Sequence, residues 1–446
     1  MPCIASVFCL VLAQNLLDQN AGLILCPLLN ASKYSLIHTL THSKIAIVGG
    51  GAAGFFAALS VKEHHPDAQV VIFEKSKKVL SKVKISGGGR CNVTNGCTDI
   101  VELAKAYPRG SKKLKKAFHT WNTQHTMDWF EQRRVPLVIQ EDNCVFPQSQ
   151  DSQTIIDCFL RETRRLGIGV YTSHGVRGLE YKDKAWHLHF QKDITAPQTF
   201  DKVIVTTGGS PKRRGLEWLE AIGHKIEEPV PSLFTFNMPQ EPIRELMGVV
   251  VEKALVSIQG TKLKGDGPLL ITHWGMSGPA ILKLSAFGAR ILSEKNYEFQ
   301  VQVNWVNETN QSLVLEELYT IQKAHPHKSL ANFRPYLLPK RLWFYLLEKA
   351  QLSQAKPWIE LGKKSINRIS NLLTNDLYQV KGKTTFKEEF VTCGGVSLDS
   401  IDFKTMQSRA CPGLYFAGEV MDIDGITGGY NFQSAWTTAY IAGKLA

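Results

Sequence analysis

The sequence predicts an α/β fold, and three stretches predict it. A short apolar strand opens into glycines just after Lys44. A second glycine-ended strand runs from Lys202 to Ser210, and a third, starting at Leu414, leads through a glycine-rich turn into a final helix. Short apolar runs bounded by turn residues mark buried parallel strands, and glycines at their ends let the backbone come close to a ligand. The 446 residues suffice for a large core divided over two or three domains, and 43% hydrophobic with 21% charged residues is ordinary for a soluble globular protein. Charge is less ordinary. The 52 Lys+Arg against 40 Asp+Glu leave +12, an excess that favours an anionic partner such as a nucleotide, RNA or a membrane surface without choosing among them. Nine cysteines lie scattered, with no C-x-x-C pair and no metal-ligand spacing. No metal site is expected, and the thiols read as reduced groups of a cytoplasmic protein.

Residues 1–43 look foreign to the rest. The apolar run from Ile4 to Ala13 has no basic residue before it, as a secretory signal would want, and falls short of the roughly 20 apolar residues of a membrane span. The segment is expected to be a disordered extension or a misassigned start, with the working chain beginning at Lys44.

From there "KIAIVGGGAAGFFAALSVKEHHPDAQVVIFEKS" reads as strand, tight turn, helix, strand. Ile45 to Val48 form a central strand, and Gly49, Gly51 and Gly54 complete a G-x-G-x-x-G pattern. The first glycine makes the turn, the second lets a pyrophosphate touch the backbone, and the third lets helix pack on strand. A helix from about Ala53 to Glu63 then aims its amides at the phosphates. Val70 to Phe73 form the next strand, and Glu74 at its end is placed to bind ribose hydroxyls.

The choice between FAD and NAD falls at the other end. "GLYFAGEVMDIDGITGGYNFQSAW" carries a strand, Leu414 to Ala417, that ends in Gly418-Glu419. In two-dinucleotide flavoproteins a strand ending in Gly-Asp sets its acid on the flavin ribityl chain, and Glu419 takes that role here, one methylene longer. The helix opening at Gly428, Gly429, Tyr430 and Asn431 then presents its positive end to the flavin. FAD is the expected cofactor.

The motifs "SGGGRCNVTN", "THWGMSGPAILKLS", "VTCGGVSL" and the long C-terminal stretch resemble the BaiN/RdsA-like family of NAD(P)/FAD-dependent oxidoreductases (YhiN-type flavoproteins), from about Lys44 to the C-terminus. The resemblance implies a Rossmann-type FAD-binding domain of glutathione-reductase-like topology, interrupted by an inserted β-barrel with a helical subdomain. It implies that Ser86 through Asn95 wrap the cofactor, with backbone amides and Arg90 on the phosphates and Cys91 to Asn95 near the ring. Further contacts are carried over to Ala52, Lys75, Lys82, Gly88, Gly89, Asn92, Thr94, Val176, Gly208 and Asn431. Cys393 departs from the family pattern, which leaves its thiol without an assigned role.

The insertion can be located independently. After "EEPVPSLFTF", a proline-punctuated linker, Leu233 to about Phe299 shows short alternating β-runs, and Ser312 to about Leu377 shows helical spacing whose aromatics read as core. "TFKEEFVTCGGVSL" re-enters the first domain. The expected division is 1–43, an extension; 44–231, the first part of the FAD domain; 232–384, the insert; and 385–446, the C-terminal part. No second G-x-G-x-x-G follows a strand in the insert, so NAD(P)H is expected as a transient donor docking against the flavin.

No Cys-x4-Cys pair argues for disulfide chemistry, and no serine–histidine–acid constellation stands out. What remains is reduction of an activated C=C bond, which needs a proton donor. Cys91, His273 and Tyr430 are the candidates. The resemblance offers two substrate classes: a uridine of ribosomal RNA, reduced to dihydrouridine, or a small conjugated enone of steroid or bile-acid type. A non-catalytic flavin-binding module is a further alternative. Residues 75–90 and 105–116 each carry six Lys/Arg and no acid, the second with Tyr107 interleaved. These runs favour ribosomal RNA as partner, and no membrane association is expected.

Overall fold

The structure is a computed structural model, and it describes residues 43–191, 196–384 and 391–446. The extension expected over 1–43 lies outside the described residues apart from Ser43. Its carbonyl accepts from the Gln69 amide at 3.0 Å, so the ladder begins one residue earlier than expected.

One sheet runs Ile401–Asp402, Gln407–Ser408, Leu414–Phe416, Lys202–Val205, Lys44–Val48, Gln69–Phe73, Gly169–Tyr171. The five strands from Leu414–Phe416 onward are parallel, with Ile47 opposite Ile204 on one side and Ile72 on the other. Such strands are covered on both faces, which is why they read as unbroken apolar runs. The first helix, Ala52–His64, and the last, Tyr430–Gly443, cover one face together. They touch closely: a Cβ at Gly443 would lie 2.5 Å from Ser60, whose hydroxyl donates to the Tyr440 carbonyl at 2.9 Å. Phe56 sits 5.3 Å from Trp436, 5.4 Å from Trp121 and 4.8 Å from Trp129, an aromatic cluster that joins both helices to Thr123–Glu131.

A second sheet runs Asp376–Lys381, Glu298–Asn304, Val250–Ile258, Lys264–Thr272, Gly275–Ser277, Thr235–Asn237, Lys383–Thr384, antiparallel throughout. Its two outermost strands are one stretch of chain, turned at Gly382 with φ +96°. Helices Gln311–Ala324, Lys340–Lys349 and Lys363–Thr374 share a single core with it, through Leu318, Trp343, Leu346 and Ile369 against Val256 and Val301.

Three expectations need correction. The stretch read as β-runs up to Phe299 contains a helix, Pro279–Glu294, whose Ile281, Leu284 and Leu292 recur at helical spacing and are buried. The helical stretch stops at Thr374, and Leu377 lies in a strand. The presumed linker is also a strand: Ile226–Ser232 pairs antiparallel with Val391–Val396. Its prolines fit because Pro229 falls at the register break between Glu227 and Val230, and a two-stranded ribbon leaves each strand one edge needing no N–H. The first residues of the expected re-entry, 385–390, lie outside the described residues.

Candidate functional site

The three glycines of the first turn have three different reasons to be glycine. Gly49 sits at φ +118°, with Thr206 O where its Cβ would lie, 2.5 Å away. A Cβ on Gly54 would stand 1.9 Å from Gly49 O, so the helix can lie on the strand only without a side chain there. Gly51 is the opposite case: nothing lies within 4 Å of its Cβ position. It caps the first helix and offers no side chain to its amides, so the positive helix end faces open space. The Glu74 carboxylate closes one side, accepting from Gly50 N and Ser76 N at 2.8 Å each and from Ser76 Oγ at 2.7 Å. Lys75 and Val176 lie at this same end. The place of a Cβ on Gly175 is 3.0 Å from Lys75 Cβ, and His174 N donates to Glu74 O at 2.8 Å.

The glycine triplet follows a short helix, Ser81–Ile85, with Gly87, Gly88 and Gly89 all at positive φ and open space beside the last two. Beyond it the chain is stitched to the last helix. Thr94 Oγ1 donates to Gln433 Oε1 at 2.5 Å and Asn95 Nδ2 to Gly428 O at 3.0 Å. A Cβ on Gly429 would meet Thr94 O at 2.2 Å, so this segment crosses the helix end in backbone contact. Arg90, assigned by resemblance to phosphates, lies over the Phe146 ring at 4.1 Å and donates to Gln150 Oε1 at 3.2 Å.

At the third corner Gly418, at φ +77°, lies against Ala53, where a Cβ would approach to 2.8 Å. Glu419 Oε2 pairs with Lys82 Nζ at 2.9 Å, while its Oε1 accepts from Thr392 N at 2.8 Å. Thr392 Oγ1 is buried and has no partner among the described residues. Gly209 packs so tightly on this pair that its Cβ would be 2.5 Å from Thr392 Oγ1, whereas Gly208 faces open space. Open space beside Gly51, Gly88, Gly89 and Gly208, a free helix end and an orphaned hydroxyl together fit a long phosphate-bearing cofactor. Sequence reasoning missed Thr392, although it sits in the quoted "VTCGGVSL" stretch.

The proton-donor candidates separate. Cys91, at φ +62°, is fully buried in the core, and burial pushes its thiol up to about 12. His273 is exposed on the turn between two strands of the second sheet, its ring 4.2 Å from that of Trp274. Tyr430 opens the last helix. Burial raises its phenol to about 12, and its carbonyl accepts from the Tyr107 hydroxyl at 2.7 Å. Asn431, assigned to the cofactor, holds its own loop, bonding Gly425 N and Gly425 O at 2.9 and 3.0 Å. Cys393 is buried in its strand, with burial raising its thiol to about 11.

The model of the HI0933-like protein Rossmann domain matches residues 43–445. The chain is 28% identical over 414 residues to a 3-dehydro-bile acid delta(4,6)-reductase of Clostridium scindens, covering 91% of this chain and 99% of that protein. It is 29% identical over 412 residues to a ribosomal RNA dihydrouridine synthase of Escherichia coli, covering 88% and 95%. Among solved structures, a 3-ketosteroid-delta4-(5alpha)-dehydrogenase from Rhodococcus jostii superposes with a TM-score of 0.47 at 11% identity, covering 93% and 98%.

Two members of the second basic run do not face solvent. Tyr107 is buried, so it offers no face for stacking. Arg109 is withdrawn from any phosphate: Nε donates to Asp424 Oδ1 at 2.5 Å, Nη2 to Oδ2, and Nη1 to Ala286 O at 2.5 Å in the helix Pro279–Glu294. Ser232 Oγ donates to Asp424 Oδ2 at 2.6 Å. Burial raises the Asp424 carboxyl above its ordinary value, and the Arg109 guanidinium opposes that rise. From the same helix Arg290 donates to both Asp422 oxygens at 2.9 Å. Two arginines thus tie the helix Pro279–Glu294 to the loop that leads into the last helix. Removing one partner of a buried pair leaves a charge uncompensated, so Arg109→Ala should cost about 3–5 kcal/mol in urea unfolding. An unchanged midpoint would contradict this placement.

Proposed function

This chain belongs to the HI0933-like Rossmann-domain family, and from that premise we propose that it is an FAD-dependent oxidoreductase that reduces a uridine of ribosomal RNA to dihydrouridine. That it is an oxidoreductase follows from its full-length relatives, a reductase and a dihydrouridine synthase. When bound, FAD supplies a two-electron, hydride-level reducing equivalent, and NAD(P)H is the transient donor that restores it.

The residues divide the binding among them. Gly51 and the first turn of the helix Ala52–His64 hold the pyrophosphate, Glu74 the adenosine ribose, and Glu419 with Lys82 and Thr392 the ribityl chain. Thr392 Oγ1 gains the partner it lacks in this arrangement. The second sheet and its helices are read as an inserted barrel, closed at Gly382, with a helical subdomain spanning 232–384.

Reduction of uracil puts a hydride equivalent on C6, electron-poor through conjugation to the C4 carbonyl, and a proton on C5. Tyr430 supplies the proton, since it stands at the helix end beside Asn95 and Gly428, and a phenol raised to about 12 keeps its O–H at neutral pH. A paired base could not reach the site, so the target must be unpaired or flipped out. The observation that carries the RNA reading is charge. Lys75, Lys77, Lys78, Lys112, Lys115 and Lys116 all stand exposed in the runs near the glycine loop. A conjugated enone is the second reading, favoured by similarity to the bile-acid reductase along 99% of that protein.

The purified protein should be yellow and release intact FAD on heating. Glu419→Ala should weaken FAD binding by about 1–3 kcal/mol in a fluorescence titration, the scale of a charge-assisted hydrogen bond; wild-type affinity would refute the ribityl assignment. Tyr430→Phe should lower substrate reduction by about 10²–10⁴-fold with FAD content unchanged. Because the raised pKa leaves the phenol protonated from pH 6 to 10, this group should impose no alkaline loss of activity across that range. Ribosomal RNA from a deletion strain should lack one dihydrouridine in nucleoside analysis, and an unaltered content would shift the substrate to the enone.

A further inference from the structure

Residues 311–375, the helical part of the insert, hold ten Lys/Arg against four acids, Glu316, Glu317, Glu348 and Glu360, so 65 residues carry a net charge of +6. Four of those cations are engaged within the fold. Arg341 donates to the Met247 and Glu245 carbonyls, Arg368 to Ala350 O, Lys349 pairs with buried Asp376, and Lys340 lies over the Phe344 ring. These hold the helices to one another and to the sheet.

Five of the other six, all but Arg334, gather differently. The helix Gln311–Ala324 ends beside the stretch that follows Lys349, because Gln322 Nε2 donates to the Trp358 and Leu361 carbonyls at 2.8 Å. The loop after it runs alongside the loop before Lys363–Thr374: Leu330 N donates to Lys356 O, Trp358 N to Lys328 O, and Ile359 N to Pro326 O. This backbone pairing brings Lys323, Lys328, Lys356, Lys363 and Lys364 to one end of the subdomain, with His325 and His327 between them. Lys323, Lys328, Lys363 and Lys364 are exposed and Lys356 half-exposed, and among the described residues none has a carboxylate within 4 Å. Glu360 is the sole acid in the two loops.

We propose that this lysine-rich end of the helical subdomain is a docking surface for the phosphate backbone of RNA. It is separate in the chain from the basic runs 75–90 and 105–116. The proposal rests on the RNA reading above and adds where the strand is held away from the reacting base. Unpaired lysines at one end of a rigid bundle give sequence-independent contacts that position the polymer, while the cleft reads the base. A small enone would have no use for them.

The test compares the wild-type holoprotein with a Lys323→Gln/Lys328→Gln/Lys363→Gln/Lys364→Gln variant, both FAD-loaded, binding in vitro-transcribed ribosomal RNA across a salt series. Loss of four phosphate contacts should flatten the slope of log affinity against log salt by about 0.7 per contact, and affinity at about 0.1 M salt should fall at least tenfold. FAD content and urea midpoint should not move. Equal affinity and slope in the two proteins would overturn the surface and leave the RNA reading standing. Failure of the wild type to bind the RNA would overturn both. Vesicles containing phosphatidylserine that bind the wild type while the RNA does not would assign this face to a lipid surface and overturn the proposal.

Discussion

Backbone touching backbone is the constraint on which the groove depends. At Gly54 the first helix lies against the turn that precedes it, and at Gly429 the segment after the glycine triplet crosses the last helix; at Gly418 the third strand end meets the Ala53 methyl group, which is as fixed as the backbone that carries it. In each place a single methyl group would have to occupy space already taken, at 1.9, 2.2 and 2.8 Å. Packing this close cannot relax by side-chain rotation, so the corners of the groove are held rigidly. Its open positions, Gly51, Gly88, Gly89 and Gly208, are glycine for the converse reason: the space beside them is left free. Crowded and open glycines alternate along the same short stretches, and together they outline a mould.

Electrostatics divides in the same way between groups used for holding and groups left available. Arg109, Arg290 and Arg368 all end on buried or partly buried acceptors. The planar guanidinium can satisfy several acceptors at once, which suits joints between segments. Exposed lysines remain where no such joint exists. Counting positive residues in a run therefore overstates what is free to meet an anion: in 105–116, Arg109 is consumed by Asp424, Lys105 pairs with Glu102 at 2.7 Å, and Lys113 is 3.8 Å from Asp399.

What could be read from the sequence was what is local. The strand, turn, helix and strand from Lys44 to Glu74 announce themselves because the glycine spacing, the apolar runs and the acid all fall within one unit of chain. Proline misled where context overrode propensity, since Ile226–Ser232 is a strand despite Pro229 and Pro231. The helix Pro279–Glu294 was hidden by the glycines and β-like runs around it, although its own apolar spacing was present. The Arg109–Asp424 pair had no local signature at all, because its members stand 315 positions apart. The lysine-rich end of the helices packed on the second sheet escaped for a related reason: its cations are spread thinly along the chain and meet only when two loops pair.

The joining of Ser60 to Tyr440 spans 380 positions, and it separates the order in which the chain is made from the order in which it can fold. The second sheet also pairs distant strands, Thr235–Asn237 with Lys383–Thr384, yet all of its strands are made before the last helix is. The parallel sheet cannot be finished as early, because one of its faces is covered by Ala52–His64 without its partner until the final helix arrives. Long-range closure of this kind is slow and exposes apolar surface while it waits. During synthesis the aromatic cluster around Phe56 stands without Trp436, and it is this half-built layer that chaperones would meet. A chain released short of its last helix would carry every strand of the second sheet and a first sheet only partly covered.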